Sequence, residues 1–146
     1  MEIRELNENE LDQLLDLYKD LHDADDALPE RAIVQEAWNS IQNNSGFLCY
    51  GLFEKNLLIS SCCLVITANL TRGCRSYAVI ENVVTLKDQR SKGYGRSILK
   101  HALDYAWSKN CYKVMLLTGR LNEETYKFYE SVGFSRHSKQ AFIAKP

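Results

Sequence analysis

The chain has 146 residues and a net charge of −1, which fits one compact domain and leaves no global field favouring nucleic acid or an anionic membrane. Its apolar share of 45% and charged share of 25% are those of an ordinary globular protein. Five cysteines (Cys49, Cys62, Cys63, Cys74 and Cys111), an odd count without a CxxC pair, argue against a disulfide framework or a zinc site and for reduced thiols in a cytoplasmic protein. The charged N-terminus predicts no signal peptide, and no apolar run approaches the ~20 residues that span a bilayer.

In chain order, Ile3 and Leu6 mark a short opening strand. Asn7, with Glu10 three residues on, is an N-cap pattern, and Leu11, Leu14, Leu15, Tyr18 and Leu21 then recur at helical spacing, so a helix is expected to stop near His22. An acidic loop with Asp23, Asp25 and Asp26 leads to a second helix over residues 30–42. Strands follow over 47–53 and 57–67, joined by a hairpin turn at Glu54-Lys55-Asn56. A third strand, over 77–86, makes a meander with them. A polar, glycine-bearing loop, an amphipathic helix ending near Asn110, and a buried strand over 112–117 come next. A helix over 122–132, closed by Gly133, precedes two last strands at 134–136 and 140–144, which are expected to complete the sheet. This order predicts a mixed α/β (α+β) fold: a mostly antiparallel central sheet with one parallel strand pair, flanked by helices.

The informative stretch is ENVVTLKDQRSKGYGRSIL, from Glu81 to Leu99: a strand enters a loop with Gly93 and Gly95, and a helix leaves it. A helix start offers unpaired N–H groups and the positive end of the dipole, and glycines let an anion reach that backbone. Arg90, Lys92 and Arg96 add positive charge, so the loop suits a phosphate or pyrophosphate. A Walker loop is absent, and Ile98 stands where a dinucleotide loop needs its last glycine. The pattern [QR]xxGx[GA] is met in full by Arg90-Ser91-Lys92-Gly93-Tyr94-Gly95.

With this loop, with NEETYKFYESVGF (Asn122 to Phe134) and with CYKVMLLTG (Cys111 to Gly119), nearly the whole chain resembles the GNAT superfamily of N-acetyltransferases, and more loosely its small-amine members such as the glucosamine-phosphate acetyltransferases. The resemblance implies transfer of an acetyl group from acetyl-CoA, as co-substrate and without a metal, to a primary amine. It places the pantetheine arm along Val83, Val84 and Thr85. The pyrophosphate falls on Arg90, Ser91, Lys92, Gly93, Tyr94, Gly95, Arg96 and Ser97, and Asn122 and Phe128 form the far wall. Tyr129 is implied as the general acid that protonates the leaving thiolate, and Glu81 as the candidate base.

The acceptor side offers two opposed readings. Asp25 and Asp26, with Asp23, would draw a cationic amine. Arg72 and Arg75 would grip an acidic or phosphorylated acceptor, or form a homodimer contact; their direct lead into the Glu81 strand favours them as acceptor ligands. Besides a small-amine transferase, the expectations include a transferase for protein N-termini or lysines and a non-catalytic acetyl-CoA sensor. Nucleic acid and membranes are not expected as partners.

Overall fold

The computed structural model describes residues Met1–Pro146. Strand β1 (Glu2–Glu5) is followed by a one-turn 3-10 helix and α1 (Leu11–Tyr18). The Asn7 side chain accepts from the Asn9 N–H, and Glu10 returns a bond to the Asn7 N–H at 2.8 Å, which makes the expected capping box. The helix proper ends at Tyr18, earlier than the spacing predicts, because residues 19–21 turn through short bonds to the carbonyls of Asp16, Leu17 and Tyr18. Helix α2 (Arg31–Gln42) returns the chain to β2 (Phe47–Glu54). The β2–β3 hairpin turns at Lys55 and Asn56, both with positive φ, and enters β3 (Leu57–Thr67). A short turn, α3 (Thr71–Cys74), has Arg72 and Gly73 in left-handed conformation. Strand β4 (Tyr77–Thr85), helix α4 (Tyr94–Ser108), strand β5 (Val114–Leu116) and helix α5 (Glu123–Glu130) complete the elements.

The sheet runs β1-β2-β3-β4-β5, antiparallel throughout except for the parallel β4–β5 pair. Apolar side chains alternate between its two faces. On one face Tyr50, Leu52, Leu64 and Ile80 pack with Ile98, Leu99, Ala102 and Ala106 of α4. On the other Cys49, Phe53, Leu58 and Cys63 meet Leu11, Leu14 and Leu17 of α1 and Trp38 of α2. The two expected final strands are not formed. The Phe134 N–H is taken by the Tyr129 carbonyl, Arg136 is drawn back onto Glu123 and Glu130, and Phe142 and Ile143 stand in solvent.

Two irregularities in β4 prepare a site. Ser61 pairs with Val84 and Cys63 with Glu81, so Asn82 and Val83 together oppose Cys62. Asn82 takes φ +53° to make this bulge. The β4–β5 pairing covers only Ala78 to Ile80, so the two strands diverge from Glu81 onward. The β4 edge between Glu81 and Thr85 therefore has no neighbouring strand on the β5 side.

Candidate active site

The divergence opens a groove of about 1030 Å³ between the carboxyl ends of β4 and β5. In a sheet with parallel pairs, that end is where loops converge on ligands. Four features meet there: the β4 edge, the glycine loop, the N-terminus of α4, and one face of α5.

Gly93 is the N-cap of α4, with φ +88°, a backbone setting that L side chains adopt at a cost. The first intrahelical bond runs from the Ser97 N–H to the Gly93 carbonyl, so the N–H groups of Tyr94, Gly95 and Arg96 have no backbone acceptor. Gly95 answers a second demand. A Cβ there would lie 3.1 Å from Phe128 Cζ and 3.5 Å from Thr85 Oγ1, so glycine lets α4 seat against α5 and the end of β4. Beyond the bulge, the Ser60 hydroxyl donates to the Val84 carbonyl at 2.7 Å and lies 2.8 Å from Thr85 Oγ1. These bonds fix the β4 backbone whose opposite edge faces the groove.

Of the residues singled out from sequence, Glu81, Val83, Val84, Thr85, Arg90, Ser91, Gly93, Tyr94, Gly95, Arg96, Asn122, Phe128 and Tyr129 line this groove. Lys92 and Ser97 do not line it; the Lys92 ammonium donates to Gln89 Oε1 at 2.8 Å. Arg90 is exposed, and its guanidinium donates to the Thr85 carbonyl at 3.2 Å and to the Asp20 carbonyl at 2.7 Å. Tyr94 points its hydroxyl away, to Glu54 at 2.7 Å. Asn122 caps α5 by accepting from the Thr125 N–H at 2.9 Å. On the acidic loop Asp23 reaches the groove, while Asp25 and Asp26 do not line it. Arg72 and Arg75 do not line it either; both guanidinium groups sit over the Tyr112 ring, 5.9 Å from its centre.

Tyr129 is half-buried on α5, tilted against Phe128 with ring centres 5.0 Å apart. Burial pushes its phenol above the usual range, and the nearby Arg120 charge pulls the other way. The net shift is upward, so the hydroxyl keeps its proton at neutral pH. Glu81 is exposed on the groove wall just before the bulge.

Sequence reasoning missed Asp20, His22, Asn82, Thr118 and Arg120, which also line the groove. A signal existed for Arg120: it closes the Thr118-Gly119-Arg120 turn just beyond the parallel strand β5, where an α/β sheet gathers its ligands. No cluster of His, Cys, Asp or Glu side chains has the makings of a metal site.

The family profile of the Acetyltransferase (GNAT) family matches residues 11–134. The chain belongs to the GNAT family. Across that family match run the glycine loop, the diverging strands and Tyr129. A putative acetyltransferase from Agrobacterium tumefaciens is 36% identical, covers 99% of this chain and 100% of its own, and superposes with a TM-score of 0.92. An acetyltransferase from Trypanosoma brucei is 27% identical over 99% of both chains, with a TM-score of 0.82. A curated relative, glucosamine 6-phosphate N-acetyltransferase of Trypanosoma brucei brucei, is 35% identical over 83 residues, which are 57% of this chain and 54% of that protein. The chain thus matches about half the length of that relative.

Proposed function

We propose that the chain is a single-domain N-acetyltransferase, moving the acetyl group of acetyl-CoA to a primary amine of a small molecule by direct attack. The observation that carries this reading is the groove itself. A strand edge without a partner, a left-handed glycine and three unpaired helix N–H groups share one cavity about 1030 Å³ in volume. An extended amide-bearing arm completes the β4 edge as a strand would, and a pyrophosphate suits the α4 N-terminus. Arg96 supplies charge there, and Gly93 lets the anion approach.

The chemistry asks three things of the protein. Glu81 takes the amine proton, directly or through a water. A backbone N–H near Val83, at the bulge, donates to the oxygen that becomes negative in the tetrahedral state. Tyr129 gives its phenolic proton to the departing thiolate, a contribution of about 10²- to 10⁴-fold for a well-placed general acid. Its half-buried position beside Glu81 on the groove wall supports that role.

For the acceptor, Glu81 and Asp23 on the groove support an amine that arrives as a cation, whereas Arg72 and Arg75 lie elsewhere. The curated relative named for glucosamine 6-phosphate makes amino sugars the first acceptors to test. Five free thiols support a cytoplasmic setting, and exposed Leu70, Phe142 and Ile143 support association of two copies. The test is thiol release from acetyl-CoA against a library of amino sugars, polyamines, amino acids and lysine peptides. Steady thiol release with a small amine is expected. Tight acetyl-CoA binding without turnover on any amine makes the chain a sensor instead, and turnover on peptides alone makes it a protein acetyltransferase.

A further inference from the structure

The end of α1 is tied to the groove by two arginines that arrive from opposite walls. Asp20 and Leu21 lie past the last turn of α1, where backbone carbonyls have no partner from the helix itself. Arg90, from the glycine loop, donates Nη2 to the Asp20 carbonyl at 2.7 Å. Arg120, from the loop after β5, donates Nη2 to the Leu21 carbonyl at 3.0 Å. The Asp20 side chain closes the tie on one side, accepting from the Lys87 N–H at 2.8 Å with the Lys87 ammonium 3.7 Å away. Guanidinium groups at the negative end of a helix are also favoured by its dipole.

The two ties are not equivalent. Arg90 holds the α1 end to the loop that follows β4, and the Asp20 carboxylate reinforces it with two further contacts. Arg120 alone joins that end to the loop beyond β5, across a sequence separation of 99 residues. The residues so held, Asp20 to Asp23, line the groove together with Glu81 and Tyr129. Without the Arg120 bond, residues 21–23 run into an exposed loop with nothing else to fix them from the β5 side.

We infer that Arg120 is a positioning residue: it straps the segment just past α1, at Leu21, across the diverging strands and so sets where His22 and Asp23 stand at the acceptor end. This rests on the transferase reading for its functional half only. A guanidinium has five N–H donors, and the strap uses one, so the same side chain also leaves charge facing the groove. That charge bears on the Tyr129 phenol and opposes its upward shift.

The experiment compares the intact protein with Arg120→Ala and Arg120→Lys. Hydrogen exchange over residues 17–24, measured without substrates, is expected to quicken about fivefold in Arg120→Ala, the scale of one lost hydrogen bond, and to be largely restored in Arg120→Lys. With the best amine found, Arg120→Ala raises the acceptor KM about fivefold while acetyl-CoA affinity by titration calorimetry stays within about twofold. Unchanged exchange in Arg120→Ala overturns the strap, whether or not any amine is acetylated. Faster exchange with an unchanged acceptor KM, or a KM that follows charge alone and is restored by lysine without restored protection, overturns its role in placing the acceptor. If no amine is turned over, the exchange result still decides the strap, and the failure belongs to the transferase reading.

Discussion

Replacing Tyr129 by Phe removes one oxygen and little else. The ring contacts remain: the tilted stack on Phe128 at 5.0 Å and the edge-on contact with Phe134 at 6.2 Å. The influences on the phenol are burial and neighbouring charge, with no side-chain hydrogen bond among them, so stability is expected to change by less than about 0.5 kcal/mol. The kinetic effect has a different size. A thiolate leaves more readily than an alkoxide, since a thiol has a pKa near 8.5, so the threshold is set below the low end of the general-acid range. A fall in kcat of at least about tenfold is expected, which is about 1.4 kcal/mol of transition-state stabilisation, with acetyl-CoA affinity nearly unchanged. The pH profile gives a second reading. On the general-acid assignment the protonated phenol is the active form, so its contribution is full below its pKa and is lost as pH rises through it. Because burial pushes that pKa up, the alkaline fall in kcat lies above the ordinary tyrosine value of about 10, and Tyr129→Phe lacks it. Single-turnover thiol release isolates the chemical step. Equal single-turnover rates in both proteins would refute the assignment and leave Tyr129 as packing.

Gly95→Asp places bulk against Phe128, 3.1 Å from the Cβ position, and a negative charge at the helix start; calorimetry is expected to show acetyl-CoA affinity reduced by at least about tenfold with circular dichroism retained, and equal affinity would remove the phosphate-loop assignment. Arg72→Ala with Arg75→Ala, and Asp25→Ala with Asp26→Ala, should each leave the acceptor KM within about twofold, whereas Asp23→Asn raises it about threefold for a cationic amine; a rise confined to the arginine pair restores those residues to the acceptor site. Glu10→Gln breaks the paired bonds to Arg4 and is expected to cost about 1–3 kcal/mol in urea unfolding near pH ~7. The Arg4 guanidinium holds the Glu10 carboxyl below its usual range, so this stability is present above the unfolded value of about 4.3 and is lost as pH falls through the lower folded value. A mutant deficit that does not shrink in acid contradicts that linkage.

What was legible in the sequence was local chemistry. The capping box at Asn7 and Glu10, the turn at Lys55-Asn56 and the glycine loop before α4 each announce themselves within a few residues. What was not legible depends on partners far away in the chain. Residues 140–144 have a strand-like composition, but a strand exists only where a neighbour offers a ladder, and here Arg136 is turned back onto α5 instead. Arg72 and Arg75 are adjacent to β4 in sequence, but adjacency in the chain is not proximity to the groove. A strand rises about 3.3 Å per residue, so Arg75, six positions before Glu81, lies roughly 20 Å from it along the chain. Conversely Arg120 is 39 positions after Glu81, yet lines the same groove, because the parallel pairing of β4 and β5 brings both carboxyl ends to one place.

Strand β4 carries both doubly flanked and singly flanked backbone near the site. From Ala78 to Ile80, β4 is flanked by β3 and β5 and belongs to the core. From Glu81 its β5 neighbour is gone, and an open strand edge is a liability unless something covers it. Here the groove it faces is walled on three sides, by the α1 end held by Arg90 and Arg120, the face of α5 with Phe128 and Tyr129, and the glycine loop. The Asn82 bulge keeps β4 bonded to β3 through Ser60 and Ser61 while turning its other edge to the groove. Backbone donors and acceptors held in place in this way need no reorganisation when an amide-bearing arm arrives, and fixed donors are worth most where charge develops during reaction. Under the proposed mechanism, the interruption of the sheet at Glu81 is therefore what joins fold to chemistry: the unpaired β4 edge takes the extended arm, an N–H at the bulge takes the developing oxyanion, and the Glu81 carboxylate meets the amine.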